Sequence, residues 1–339
     1  MSGSWPGGGR TAATPGPVSP PPGAIAAAAA YGLDTGGLEP VASAYRQAAA
    51  WRAGDVLLKP FRYGERQLYY ATGALLHLER SGLTPNLVWT RAGERYARVG
   101  GAFWYATAWI GGRTLRLPAD LTAACRSLAR FHTAAEGYFM PYGAERAWPR
   151  RWQGLLADLK DFQARAQTGH DPFDGAYARA APAFIRRAEA ALAALAASPY
   201  ARLEAHVRAG QRFCHRDCTA ANLVRDEFGQ VWFVDLDTAG PELQLHDLTR
   251  LLLSGPGLEP RAVLSALAAY ESVLPLDPAE RQLLPASLLL PREFWWAAVC
   301  RYRHARPGVD PERLLQQTIT GAPARDACVK ALQEALCGV

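Results

Sequence analysis

The apolar pattern of the chain changes character once, at Ile110-Gly111-Gly112-Arg113. Upstream, short apolar runs alternate with tight turn sequences. AYRQAAAW and VLLKPF flank the turn RAGD, NLVWT and RYARVGG flank RAGE, and AFWYATAWI adds a further run. Runs of this length between glycine-containing turns predict two hairpins and another antiparallel strand. Only YGERQLYYATGALLHLERSG departs from this, with Leu68, Thr72, Leu75, Leu76 and Leu78 at helical spacing and Gly82 as a stop. Downstream the period is helical almost throughout. In PADLTAACRSLARFHTAAEG, Asp120 is placed to cap, and Leu121, Cys125, Leu128, Ala129 and His132 share a face. RWQGLLADLKDFQARA, AYARAAPAFIRRAEAALAALAA, PREFWWAAVCRYRHA and PERLLQQTI continue it. The single switch confines the chain to an α+β class: a small antiparallel sheet with one helix, then a larger, mainly helical part.

A chain of 339 residues that is 49% hydrophobic can bury one large core or two smaller ones. Residues 1–24 are rich in glycine, proline and serine and predict a disordered leader. The AIAAAAA run that follows is too short to span a membrane and lacks the flanks of a signal peptide, so a short helix is expected there. With no long uncharged apolar run elsewhere, the expectation is a soluble, cytoplasmic protein without a membrane partner. The net charge of +6 is dispersed, with no basic block and no nucleic-acid-binding motif, so nucleic acid is not an expected partner. Six scattered cysteines in a long chain fit reduced thiols better than a disulfide framework. Only three of the 37 basic residues are lysine, which draws notice to Lys59 at the end of VLLK.

The helical half is interrupted once, by HRDCTAANLVRDEFGQVWFVDLD from His215 to Asp237. A short loop separates Asp217 from Asn222, and a hairpin through RDEFGQ would return Asp235, at the end of an apolar strand, beside that loop. Three hard oxygen donors then converge, a set suited to magnesium and substrate phosphates. Phosphoryl transfer needs little else: an aspartate to orient the hydroxyl, oxygen ligands for the metal, and a lysine for the phosphates. Zinc is the competing reading, through Cys214, His215 and Cys218, but a structural zinc takes four ligands and no second cluster lies nearby in sequence. Each residue also has a plain structural role open to it. Asp217 could cap a turn, Lys59 could guard an edge strand, His132 could hydrogen-bond within the helices, Asp247 could cap the next helix, and the aromatic residues of FWWAAVCRYR could be core.

His215, Arg216, Asp217 and Asn222, with Asp235 on the following strand, resemble the catalytic-loop and metal motifs of the protein-kinase-like superfamily, on the side of aminoglycoside and choline phosphotransferases. AYGLDTGGLEPV, VLLKPFRYGERQLYY, WIGGR, LARFHTAAEGY and PREFWWAAVCRYR are, in order, similar to CotS-type spore-coat proteins of that superfamily, over roughly residues 27 to 335. The resemblance implies a bilobal fold, with a nucleotide-binding lobe at 25–110, a helical catalytic and substrate lobe at 111–339, and a hinge at 106–110. It implies Asp217 as catalytic base, Asn222 and Asp235 as ligands of Mg2+, Asp237 as an additional acid at the metal, and Lys59 on the phosphates of ATP. Either Glu65 or Glu79, on one helix, would pair with Lys59. The activity implied is ATP- and magnesium-dependent transfer of phosphate to the hydroxyl of a small molecule. The alternative is a kinase-fold structural protein of the spore coat, with coat proteins as partners and a weak or silent site. ASAYRQAAAWRAGD, where kinases carry a glycine-rich loop, contains no G-x-G-x-x-G. The acceptor would be chosen by residues 138–205 and 260–320, whose charges show no legible pattern.

Overall fold

The computed structural model describes residues 18–43, 46–138, 147–254 and 259–337. Most of the predicted leader, and positions 44 and 45 of the stretch expected to cover a nucleotide, lie outside the described residues. The chain divides into two compact units. One runs to Leu115 and takes in Thr219–Gly240, while the other comprises Arg116–Cys218 and the chain from Pro241 onward. The mixed α+β class expected from the sequence is the one observed, with the β strands in the first unit and helices filling the second.

The first unit begins with α1 (Pro22–Tyr31), which starts inside the predicted leader because Pro22 sits at N1, where its missing N–H costs no helical hydrogen bond. It continues through β1 (Glu39–Ser43), β2 (Arg46–Ala53), β3 (Val56–Phe61), α2 (Glu65–Leu78), β4 (Leu87–Val88), β5 (Ala97–Val99) and β6 (Ala102–Ala108). The sheet order is β1-β2-β3-β6, and β3 pairs β6 from Val56 opposite Ala108 to Phe61 opposite Phe103. The first expected hairpin forms, with Ala53 opposite Val56 across the RAGD turn. The second does not. β4 and β5 each pair with β6, through Leu87 opposite Thr107 and Ala97 opposite Trp104. The seven-residue β6 offers more edge than either short strand could give the other, and the hairpin that closes is β5–β6, with Gly100 and Gly101 in the left-handed region.

Alternation along β3 and β6 assigns the sheet's faces. Leu58, Trp104 and Ala106 join a buried cluster with Ala24, Ala27, Ala28 and Tyr31 of α1, whose alanines permit close approach, and Tyr31 donates its hydroxyl to Trp104 O at 3.1 Å. Burial of a side chain such as Leu58 contributes about 1.5–3 kcal/mol. The intervening positions, Lys59 and its cross-strand partner Tyr105, therefore point to the opposite face. The expected hinge at 106–110 is not a free linker: Ala106 to Ala108 complete β6, and Trp109 N donates to Asp55 O at 2.8 Å.

A second, three-stranded sheet orders β7 (Arg113–Thr114), β8 (Leu223–Arg225) and β9 (Val231–Phe233). Gly112 makes it possible: at φ 139°, a Cβ there would lie 2.4 Å from Arg225 O, so only glycine lets the strands meet. Asp226 shapes the β8–β9 turn by accepting from the amides of Phe228 (3.0 Å) and Gln230 (2.8 Å) and from Trp232 Nε1 (2.9 Å). Such side-chain bonds to following amides are what make aspartate a turn former.

The second unit contains α3 (Leu121–Ala134), α4 (Trp148–Thr168), α5 (Pro172–Ala197), α6 (Tyr200–Ala209), α7 (Gln244–Leu252), α8 (Pro260–Glu271), α9 (Pro278–Leu289), α10 (Arg292–Tyr302) and α11 (Pro311–Cys337). The face expected of α3 is buried at Leu121, Cys125, Leu128, Ala129 and His132. Asp120, however, does not cap α3 with its side chain. It accepts from the Arg116 amide at 2.7 Å, closing the turn before the helix instead. Phe294 of α10 stacks on Phe184 and Tyr177 of α5, with centroids 4.0 and 4.3 Å away, and anchors the core, whereas Trp295, Trp296 and Tyr302 of the same run are half-buried. No helix among the described residues is long and apolar enough to cross a membrane.

Candidate active site

Within the first unit, β9 delivers Val234 and then Asp235, which adopts a left-handed backbone (φ 65°, ψ 58°) ahead of the 3-10 turn Leu236–Thr238. A non-glycine residue held in that region costs about 1–3 kcal/mol and persists where surrounding contacts fix it. Those contacts are visible. Lys59 Nζ pairs with Asp235 Oδ1 and lies 2.8 Å from Asp237 Oδ2. Tyr105 donates its hydroxyl to Asp237 Oδ1 at 2.6 Å. Gln67 of α2 donates to the carbonyls of Asp237 and Ala239, both at 2.9 Å. One lysine thus sits between two carboxylates that the sequence places 176 and 178 residues away.

The two acids are not equivalent. The side chain of Asp237 is 10% exposed and that of Asp235 43%, against 16% for Lys59. Burial raises the Asp237 carboxyl above the usual range, and the charge of Asp235 adds to that, while Lys59 and Tyr105 pull it back. Burial lowers the Lys59 ammonium, but Asp237 and Asp235 more than offset this, so it stays charged above its ordinary range. With both carboxylates ionised the group carries a surplus negative charge. Asn222 ends the 3-10 turn Ala220–Asn222, and its carbonyl accepts from Val234 N at 3.0 Å, which ties it beside the residue preceding Asp235. Two carboxylates and an amide on adjoining backbone, all hard oxygen donors with one cation among them, fit a magnesium ion.

Glu65 and Glu79 are not the partners of Lys59. Glu65 accepts from the Tyr96 hydroxyl at 2.8 Å, and Glu79 is exposed in the 3-10 turn Glu79–Ser81 that ends α2. The ordinary sequence expectation of a helix glutamate fails because the buried acid turn supplies two closer carboxylates.

Asp217 belongs to the second unit, in a loop fixed by a buried carboxylate. Asp247 accepts from His215 N and Arg216 N, both at 2.7 Å, so two amides that no strand or helix serves are paired. Arg216 needs this support, since its φ is 67°. Asp247 is therefore no simple helix cap, although it lies in the first turn of α7. Burial would raise its carboxyl, but the hydrogen bond and charge of His132, with His215 and His246 nearby, hold it at about 2. His132 Nε2 donates to Asp247 at 3.3 Å, and its Nδ1 is hydrogen-bonded with the Tyr270 hydroxyl at 2.8 Å. The expected structural role of His132 is thus realised. Asp217 itself donates its amide to His215 Nδ1 at 3.3 Å, and its carboxylate pairs with Arg250 of α7.

The proposed zinc set does not assemble. The cluster that forms is His132, Cys214 and Asp247. The Cys214 thiol donates to the carbonyls of Glu242 (3.3 Å) and Leu243 (3.4 Å). Burial first, then the charge of Asp247, pushes the thiols of both Cys214 and Cys218 up.

Tyr105 and Gln67 hold the acid turn of the first unit, Arg250 and Asp247 hold the Asp217 loop of the second, and the sequence reading names none of them as site residues. Of these only Tyr105 left a signal: register opposite Lys59 once β3 and β6 are paired. A spectinomycin phosphotransferase structure, in complex with ADP and spectinomycin, has a TM-score of 0.63 at 11% identity and covers 89% of this chain and 97% of its own. The same enzyme bound to AMP scores 0.60 at 13% identity over 91% and 96%. An aminoglycoside phosphotransferase from Alicyclobacillus acidocaldarius subsp. acidocaldarius DSM 446 scores 0.78 at 22% identity, covering 95% of this chain and 98% of that one. These likenesses establish the fold. Residues 38–284, well over half of the sequence, match the phosphotransferase enzyme family, and the chain belongs to that family.

Proposed function

We propose that this protein transfers the terminal phosphate of ATP, with magnesium, to a hydroxyl of a small molecule. The observation that carries this reading is Lys59 set between Asp235 and Asp237, with Asn222 joined to the same strand end. Asn222, Asp235 and Asp237 would hold the ion, which when bound neutralises phosphate charge. Lys59 binds the phosphates of the nucleotide, and its two carboxylate neighbours keep it protonated for that task. Tyr105 and Gln67 hold the acid turn still, one through a carboxylate oxygen and the other through two carbonyls. Asp217 orients the acceptor hydroxyl and takes its proton, while Arg250 fixes the carboxylate.

Nucleotide use by the solved relatives is consistent with this reading, since the spectinomycin phosphotransferase structures hold ADP and AMP. The test is ADP release from ATP and magnesium over a panel of hydroxyl compounds. Asp217→Asn should cut turnover at least 100-fold with little change in ATP affinity, and unchanged turnover would sink the assignment. A CotS-type place in the spore coat, with coat proteins as partners, is a second proposal that rests on sequence resemblance. Localisation to the coat together with no ADP release from any acceptor would favour a structural role.

A further inference from the structure

We propose that Tyr105 is a positioning residue of the nucleotide site: holding Asp237 with its hydroxyl and Lys59 against its ring, it gives the lysine an anchor that stays when Asp235 turns to magnesium. The role in nucleotide binding rests on the phosphotransferase reading; the anchor itself does not. Every residue concerned lies in the first unit.

Tyr105 is placed by its strand and locked by its neighbours. It sits opposite Lys59 where β3 and β6 pair, so the two side chains leave the same face of the sheet at adjacent positions. Trp104 and Ala106, on either side of it, are committed to the buried cluster on the other face. Tyr105 is 4% exposed, and its ring meets that of Phe61 in a T-shaped contact, with centroids 6.0 Å apart and planes at 73°. Phe61 packs in turn on Tyr63, at 5.6 Å. A side chain held in this way delivers its polar atom to one place. That place is Asp237 Oδ1, which accepts the phenol at 2.6 Å, within the range of a hydroxyl donating to a carboxylate. Lys59 Nζ lies over the same ring, 5.8 Å from its centre, and 2.8 Å from Asp237 Oδ2. One tyrosine thus touches both members of the pair.

The two acids beside Lys59 differ in what holds them. Asp237 has one oxygen on Tyr105 and the other on Lys59, so it can meet an ion only through the lone pairs those two leave. Asp235 ends the strand with its side chain 43% exposed, against 10% for Asp237. Of the two, Asp235 can exchange the ammonium for magnesium without breaking a buried contact, while Asp237 keeps Lys59 in place for the phosphates. Helix α2 supplies no acid to this arrangement: Glu65 accepts from Tyr96, and Gln67 reaches the turn's carbonyls with a neutral amide. The anchor comes from β6 instead.

Tyr105→Phe keeps the ring on Phe61 and removes only the hydroxyl. Calorimetry with magnesium and a non-hydrolysable ATP analogue should show at least fivefold weaker binding in Tyr105→Phe and in Asp237→Asn. The double variant should bind no more than twofold weaker than Asp237→Asn alone, because both changes act on one contact. Tyr31→Phe, which removes a phenol hydrogen bond from the opposite face of the same sheet, should lower Tm but leave the affinity within twofold. Wild-type affinity in Tyr105→Phe, or losses that multiply in the double variant, overturn the proposal. The anchor is read without nucleotide by acetylating the free protein and following Lys59 by mass spectrometry against Lys160 and Lys330, whose side chains are 54% and 79% exposed. Labelling of Lys59 should rise threefold or more in Tyr105→Phe while the two reference lysines stay constant. If the wild type does not bind the analogue, a rise in Lys59 labelling keeps the anchor and removes the nucleotide reading. Unchanged labelling overturns the anchor in either case.

Discussion

Replacing Lys59 with methionine isolates the electrostatics of the acid turn, because the substitution keeps most of the side-chain volume and deletes the charge. Asp237 is then left 10% exposed, with Tyr105 as its remaining side-chain partner. Removing one member of a buried ion pair costs about 3–5 kcal/mol. The half-exposed Asp235 adds little, since a pair open to solvent contributes about 0–1 kcal/mol. The lower figure applies here, because Asp237 can take up a proton: about 3 kcal/mol, or a fall of roughly 6–12 °C in Tm at 2–4 °C per kcal/mol.

The sign with pH follows from the raised carboxyl of Asp237. An acid with a raised folded pKa favours folding while protonated, and that advantage is lost as pH rises through its folded value. Without Lys59 the folded value moves further up, so the penalty should be small near pH 5 and full near pH 8. In the native protein Lys59 itself is raised, so its contribution is complete below the ordinary lysine value of about 10.4 and disappears only above it. Thermal unfolding of the wild type, Lys59→Met and Lys59→Met/Asp237→Asn at both pH values provides the assay. The double variant should recover most of the pH 8 loss. An equal Tm drop at both pH values, or no recovery by Asp237→Asn, would refute the description of Asp237 as a buried carboxylate held by Lys59.

Asp247→Asn should remove a pH-dependent contribution of about 2 kcal/mol, from a buried carboxyl depressed to about 2 against an ordinary 3.8. A depressed acid stabilises above its unfolded pKa and loses that effect as pH falls toward its folded one, so acid titration of unfolding between pH 4 and pH 2 should be flatter in the variant. Gly112→Ala should destabilise severely or prevent folding, since its Cβ would meet Arg225 O at 2.4 Å, whereas Gly82→Ala, also at positive φ but with open space around it, should cost only about 1 kcal/mol of backbone strain. Circular dichroism melts of the two variants compare them directly, and equal losses would contradict the close approach at β7–β8.

Local chemistry was readable from the sequence; long-range pairing was not. The period of α2, the RAGD hairpin, the β8–β9 turn around Asp226 and the buried face of α3 depend on neighbours within a few residues, and each appears where the residues indicate. Asp217, Asn222, Asp235 and Lys59 stood out by residue type and spacing. Their partners did not, because Lys59 with Asp237, Asp217 with Arg250, and the 215–216 amides with Asp247 join positions 31 to 178 residues apart. No helical or strand period encodes such a pairing. The role of Asp247 is hidden for a related reason: an aspartate in a first helical turn looks like a cap until the amides it serves are seen. The tight turn between β4 and β5 predicts a hairpin, and only the length of β6 shows why both pair with it instead.

The central claim, that the carboxylates beside Lys59 form a magnesium-dependent nucleotide site, is tested most directly by thermal shift with ATP, with and without magnesium, on the wild type and Asp235→Ala. Tm should rise by several degrees at millimolar ATP only when magnesium is present, and Asp235→Ala should lose that rise. No shift in the wild type, or a shift of equal size in the variant, would contradict it.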